Sequence, residues 1–280
     1  MKIKANAKIN LFLDIVGKRE DGYHNIETIF QEIDLSDTIE IDFSNNGFTL
    51  RCNIQELEGD DNLLKKAYTE IEDFLPEISG LDIYLEKNIP FGAGLGGGSS
   101  DCAAFMNALK DLTDSKISNN KMLSIGSKLG ADVPFFFYGG TCIGKGIGDK
   151  LEKINHNNKL NILIVNPGIH VSTKEAYQGC IIKGGKQSLN EIVKGFETGD
   201  IERIAAHLYN SFEQSVFKTH PDIKACKEKI KKLGAMGSIM SGSGSTCFGI
   251  FEDMNRAVQA RDFFIEQKSY FAKAVETIIR

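Results

Sequence analysis

No C-x-x-C pair, no pair of histidines at zinc-binding spacing and no apolar run approaching twenty residues occurs in this 280-residue chain. The missing cysteine and histidine pairs exclude a zinc finger and a thioredoxin-type redox motif. A membrane-spanning helix needs roughly 20 apolar residues, and no stretch supplies them. The six cysteines, at 52, 102, 142, 180, 226 and 247, are scattered. Several stand among apolar neighbours, which points to buried reduced thiols and not to a disulfide framework. Excess positive charge is lacking too. The 33 Lys and Arg against 38 Asp and Glu leave a net charge of −5, which argues against a nucleic-acid surface. The opening stretch "MKIKANAKINLFLDIVGK" has neither the apolar core nor the small-residue cleavage site of a secretory signal. The chain therefore reads as cytoplasmic, with no membrane partner. There is no repeat at solenoid spacing and no low-complexity tail.

What is present reads as a globular α+β protein. With 41% hydrophobic residues, the chain is long enough for one large domain or two ordinary ones. The first third alternates like sheet: Ile9, Leu11, Leu13 and Ile15 share one face, as do Ile39, Ile41 and Phe43. Residues 62–75 switch to a helical stripe of Leu64, Ala67, Tyr68, Ile71 and Leu75, and 81–87 return to strand. Another helix is expected at 118–129, and "VPFFFYGGTCIG" reads as strands around a Gly-Gly turn. After a strand at 160–168 the texture turns helical, at about 173–180, 188–197, 200–217 and 221–233, with a final helix and strand. The polar stretch "KLEKINHNNK" makes a plausible join near 150–160.

The densest feature is "PFGAGLGGGSSDCAA" (90–104), where glycine fills five of the seven positions 92–98. Glycine loses the most entropy on folding, so such a run is costly unless bare backbone is required. It runs at once into Ser99, Ser100 and Asp101 and a helix whose Cys102, Phe105, Leu109 and Leu112 share a face. A linker has no need to end on an apolar-faced helix. A glycine loop opening a helix gathers unpaired amides around one anion and makes a phosphate site. Two familiar patterns match misleadingly. "GAGLGG" fits the dinucleotide fingerprint, but the polar "DLTDSKISNNK" after its helix is no strand. "GGTCIGKG" (139–146) has Gly146 where a Walker A loop needs Ser or Thr.

The glycine motif resembles that of the GHMP kinases, the superfamily of galactokinase, homoserine kinase and mevalonate kinase. "SGSGST" (241–246) resembles the superfamily's second glycine-rich loop, and "GADVPFFF" (130–137) falls in the right order. "AKINLFLDIVGKREDGYHNIETIF" (7–30) and the triple glycine before "SSD" resemble the branch whose alcohol substrate carries a cytidine diphosphate group. The resemblance implies a two-domain fold, here 1–155 and 156–280, with the active site in the cleft. It implies transfer of the γ-phosphoryl of ATP to a hydroxyl, in non-mevalonate isoprenoid synthesis. Mg2+ would arrive on the ATP phosphates, and no residue is assigned to the metal.

Site residues follow from the same resemblance. Asp132 is implied as the base, or the group that orients the substrate hydroxyl, against a reading as a turn aspartate. Lys8 is implied as its charge partner, where a lone strand lysine would by default be solvated. Asn10, two residues along the same face, is implied in binding the substrate or the aspartate. Pro90, Phe91, Gly92, Ala93, Gly94, Leu95, Gly96, Gly97, Gly98, Ser99, Ser100 and Asp101 form the ATP loop. Ser100 is placed for magnesium, for a phosphate oxygen or for plain N-capping, with Ser99 as the other cap. Tyr23 and His24 follow the turn signal "REDG", and His24 is implied to read cytosine with Tyr177 across the base and Thr173 nearby. For "SGSGST" the alternatives are contact with the first loop, contact with the diphosphate, and a plain strand connection.

Overall fold

A computed structural model describes residues 1–180, 189–267 and 270–280. The chain divides into two compact units that are discontinuous in sequence. One comprises Met1–Ala7, Leu35–Phe91 and Gly96–Tyr138, and the other Lys8–Asp34, Gly92–Leu95 and Gly139–Arg280. Two long strands, β1 (Lys2–Lys18) and β2 (His24–Phe43), contribute residues to both.

In the first unit, β4 (Gly80–Glu86) runs antiparallel to Thr38–Phe43 of β2 and parallel to β3 (Gly47–Cys52). The register sets Ile39 opposite Leu85 and Ile41 opposite Ile83, so the alternating residues share one buried face. The helices are α1 (Leu63–Ile71), α2 (Gly97–Leu112), α3 (Asn119–Leu129) and α4 (Val133–Tyr138). Asn62 caps α1, its side chain accepting from the Leu64 amide at 2.9 Å, and Ser118 caps α3 through the Lys121 amide at 3.2 Å.

Helix α4 corrects the strand reading of "VPFFFY". Pro134 is tolerated in a first helical turn, and Gly139 and Gly140, with φ of 62° and 66°, end the element. On α3, a Cβ at Gly126 would lie 2.8 Å from Phe137 and 2.9 Å from Val133, so the helix packs where a side chain is missing. Tertiary packing overrides the strand preference of the phenylalanines.

In the second unit, β1 pairs in parallel with β8 (Tyr209–Asn210), and the first half of β2 pairs antiparallel with β5 (Thr141–Lys145), which pairs with β6 (Lys150–Lys153). A separate antiparallel sheet has the order β11 (Phe271–Glu276), β7 (Asn161–Asn166), β10 (Cys247–Phe251), β9 (Gly237–Met240). Around it run α5 (Thr173–Gln178), α6 (Asn190–Thr198), α7 (Ile201–Ala206), α8 (Glu213–Thr219), α9 (Pro221–Lys232) and α10 (Met254–Glu266). Leu163, Val165, Phe212, Ile230, Phe251 and Phe264 are among its core residues. The single helix read over 200–217 is broken by β8. Asn210 donates to the carbonyls of Met240 and Gly242 at 2.7 and 2.8 Å and accepts from the Phe212 amide, which pulls the chain into strand there. Position 188, the expected start of a helix, lies outside the described residues, and α6 begins at Asn190. All six cysteines are free thiols. No described helix is long and apolar enough to cross a membrane.

Candidate active site

The even-numbered face of β1 is buried from Lys8 to Asp14, not solvated. Lys8 is 3% exposed and Asn10 fully buried. A buried ammonium needs acceptors, and Lys8 Nζ donates to Asn10 Oδ1 at 2.7 Å. Asn10 Nδ2 then donates to Thr28 Oγ1 at 2.8 Å, and the Thr28 hydroxyl donates to the Phe12 carbonyl at 2.6 Å. The Phe30 ring lies under the ammonium, 5.3 Å from its centroid to Nζ. This row holds the Lys8 side chain in place. Thr28 was not singled out from sequence, because a threonine in a strand carries no signal until its partner is known.

The first part of the glycine loop belongs to the same unit as Lys8. Ala93 and Leu95 are buried, and the Lys8 amide donates to the Leu95 carbonyl at 2.9 Å. Gly94 has φ of 78°, and a Cβ there would stand 2.2 Å from the Ser241 carbonyl oxygen. The Ser241 hydroxyl donates to the Gly94 carbonyl at 2.9 Å and accepts from the Asn10 amide at 3.3 Å. The Thr246 amide donates to the Ala93 carbonyl at 3.3 Å. The second glycine loop thus abuts the first, the alternative that its sequence left open. Asn166 braces it from β7, donating to Ser245 at 3.3 Å and Thr246 at 3.0 Å.

From Gly96 onward the loop belongs to the other unit. Gly96 itself occupies the cap position of α2 with φ of 69°, so the cap is a glycine and neither serine. Gly97, Gly98 and Ser99 form the first turn, whose amides have no intrahelical acceptor. The Ser100 side chain is buried and its hydroxyl donates to the Asn6 carbonyl at 2.6 Å. Asp101 is also turned inward, onto Lys87 at 2.7 Å. Pro90 is half-buried and Phe91 is 68% exposed. Asp132 is half-buried in the turn before α4, where the Val133 amide donates to Gly130 at 3.1 Å.

His24 and Tyr177 come together, 153 positions apart in sequence. Their rings stack with centroids 4.8 Å apart and 19° between planes. Tyr177 also meets Phe212 edge-on at 4.8 Å. A base inserted between two rings needs about 7 Å, twice the van der Waals contact distance. In this arrangement the rings therefore touch each other and do not form a sandwich. Tyr23 is 61% exposed beside them, in a turn closed by Arg19 donating to the Tyr23 carbonyl at 2.8 Å. Thr173 is exposed, and its hydroxyl lies 3.0 Å from that of Ser243 in the second glycine loop.

The open first turn of α2, with glycine at 96, 97 and 98, has the unpaired amides and bare backbone of a phosphate-binding helix start. No cluster of three or more His, Cys, Asp or Glu suited to an ion occurs among the described residues, and the Ser100 hydroxyl donates to the Asn6 carbonyl.

The chain is similar to known proteins over most of its length. Residues 62–140 match the GHMP kinases N terminal domain and 192–269 the GHMP kinases C terminal domain. A 4-diphosphocytidyl-2-C-methyl-D-erythritol kinase from Clostridium botulinum (strain Eklund 17B / Type B) is 39% identical over 260 residues, covering 92% of this chain and 93% of that protein. Its counterpart from Geotalea daltonii is 38% identical and spans 99% of both. The crystal structure of a 4-(cytidine 5'-diphospho)-2C-methyl-D-erythritol kinase superposes with a TM-score of 0.86 at 30% identity, over 98% of this chain and 99% of that one. L. major mevalonate kinase shares the fold, with a TM-score of 0.74 at 16% identity over 99% and 95%. The chain belongs to the GHMP kinases, in the family of the 4-diphosphocytidyl-2-C-methyl-D-erythritol kinases.

Proposed function

We propose that this chain phosphorylates the 2-hydroxyl of 4-diphosphocytidyl-2-C-methyl-D-erythritol from ATP, in non-mevalonate isoprenoid synthesis. The observation that carries the reading is the 38% identity extending over 99% of the chain to a kinase of that name. Its glycine loop and α2 supply the phosphate site that such a reaction requires. Phosphoryl transfer leaves little covalent work to the protein, which must align the hydroxyl and stabilise charge. In this reading Asp132 accepts or orients the hydroxyl proton as the oxygen attacks the γ-phosphorus. Lys8, locked by Asn10, places a positive charge against the transferring group. The backbone of residues 92–99 holds the phosphates, and Mg2+ arrives on the ATP phosphates.

The cytidine end packs on the aromatic group of Tyr23, His24 and Tyr177, joining the His24–Tyr177 stack or parting it. Thr173 stands by the second glycine loop as a hydroxyl contact for the substrate. A small-molecule substrate and a cytoplasmic setting, where the six free thiols stay reduced, complete the reading. A coupled assay of ADP release tests it directly. Turnover with the cytidyl alcohol is expected, with little on homoserine or mevalonate. Turnover on either of those and not on the cytidyl compound would move the chain to another branch of the superfamily.

A further inference from the structure

Beneath the first turn of α2 lies a buried charge cluster that the transfer step above does not use. Lys87, just past β4, donates to Asp101 Oδ2 at 2.7 Å and to Asp37 Oδ2. Its Nζ lies 3.2 Å from where a Cβ on Gly97 would stand, so the ammonium packs against the first helical residue of the phosphate loop. Asp37 Oδ1 accepts from the backbone amides of Asn88 and Ile89 at 2.6 and 2.8 Å. Asp101 is different. It is 1% exposed, and its Oδ1 makes no hydrogen bond among the described residues.

Two carboxylates and one ammonium carry a net charge of −1 when both acids are ionised, and none when Asp101 holds a proton. Burial first, with Asp37 adding to it against the pull of Lys87, pushes the Asp101 carboxyl up to about 8. Other titratable groups nearby are the thiols of Cys52 on β3 and Cys102 on α2, both pushed up by burial and held neutral. The lysines of α1 turn outward, Lys65 to Asp60 and Lys66 to Asp61, and Lys121 of α3 lies over the Phe74 ring. Helix α4 carries no charged residue. The charges that set the state of Asp101 are therefore Lys87 and Asp37.

We propose that Asp101 is a positioning residue whose charge tunes the phosphate loop, so that ATP binding is coupled to uptake of one proton by Asp101. The proposal rests on the assignment of the loop to ATP. Asp101 lies four residues after Gly97 on the same helical face, with its side chain leaning toward the first turn. Phosphates at the Gly97 and Gly98 amides repel a second negative charge so close in a low-dielectric setting. The bound nucleotide therefore draws a proton from solvent onto Asp101. By linkage, affinity weakens as pH rises through the range in which free Asp101 ionises.

The test is titration of Mg·ATP by calorimetry at pH 7 and pH 9, in the natural chain and in Asp101→Asn. The nucleotide's own titration is common to both, so only the difference counts. The natural chain should lose roughly five- to tenfold more affinity across this range than the variant. At pH 8, paired buffers of different ionisation enthalpy should report uptake of about half a proton by the natural chain. Equal pH slopes in the two proteins overturn the proposal. Should Asp101→Asn not fold, the paired-buffer measurement on the natural chain decides alone, and no net uptake overturns it. Failure of the loop assignment shows separately: Gly96→Val would then titrate ATP as the natural chain does.

Discussion

Lys8 and Asp132 place opposite demands on the chain. Lys8 is a buried cation whose ammonium donates to Asn10, while Asp132 stands half-buried in a turn. Removing the lysine leaves Asn10 Oδ1 without this donor, which costs about 1–3 kcal/mol for an unmet buried polar group. Lys8→Ala is therefore expected to lower Tm and, in folded protein well below that Tm, to lower kcat by at least ~100-fold through lost transition-state charge balance. Asp132→Asn is expected to keep the fold and most ATP affinity while lowering kcat by at least ~100-fold. Steady-state kinetics beside a melting curve separates the two effects. Near-normal turnover in folded Asp132→Asn would remove the base assignment.

At the scale of elements, the two glycine loops act together. Gly94 is held 2.2 Å, in Cβ terms, from the Ser241 carbonyl, whereas a Cβ on Gly98 would meet only Leu63 at an ordinary 3.7 Å. Gly94→Ala must push the loops apart and strain a positive φ, at about 1–3 kcal/mol. It should weaken ATP binding at least tenfold, while Gly98→Ala should leave thermal stability close to that of the natural chain. A calorimetric titration and a thermal melt of each variant check this pair. The aromatic stack offers an independent element to probe. His24→Ala should raise KM for the cytidyl substrate roughly 5- to 150-fold, the equivalent of about 1–3 kcal/mol of base stacking, and change KM for ATP far less. An unaltered KM for the cytidyl substrate would mean that His24 does not read the base.

For the molecule as a whole, the buried acids set how stability responds to pH. Asp101 is pushed up to about 8, chiefly by burial, so the folded chain binds a proton that the unfolded chain releases near pH 4. Its contribution to stability is complete below the unfolded value and is lost as pH rises toward and through 8. Glu213, also raised by burial, adds in the same direction. Tm of the natural chain is expected to fall between pH 6 and pH 9 by more than that of Asp101→Asn, at roughly 2–4 °C per kcal/mol for a chain of this size class. Melting curves at the two pH values decide it. A parallel fall in both proteins would locate the titration elsewhere.

Much of this protein is legible from local pattern. The glycine run followed by the spaced Cys102, Phe105 and Leu109 specifies a loop opening a helix, because backbone freedom and 3.6-residue periodicity are local properties. The alternation of Ile39 and Ile41 against Leu81, Ile83 and Leu85 likewise specifies strands with one buried face. What the polar side chains do was settled only by partners far away in sequence. Ser100 reads as a cap and is taken by Asn6, Asp101 reads as a loop residue and is taken by Lys87, and Lys8 reads as solvated until the even face of β1 is covered. The contact of Asn10 with Ser241 spans 231 residues, a separation at which no window of sequence carries a signal. The helix at "VPFFFY" and the break at Tyr209–Asn210 have the same origin: packing at Gly126 and hydrogen bonds to Met240 and Gly242 outweigh the local preference. Sequence alone determined the alternating strands of the first third and the glycine loop that opens a helix. Tertiary structure decided which polar groups face that chemistry and which are spent holding the loop, because only the folded chain removes water and makes each buried polar group find a partner.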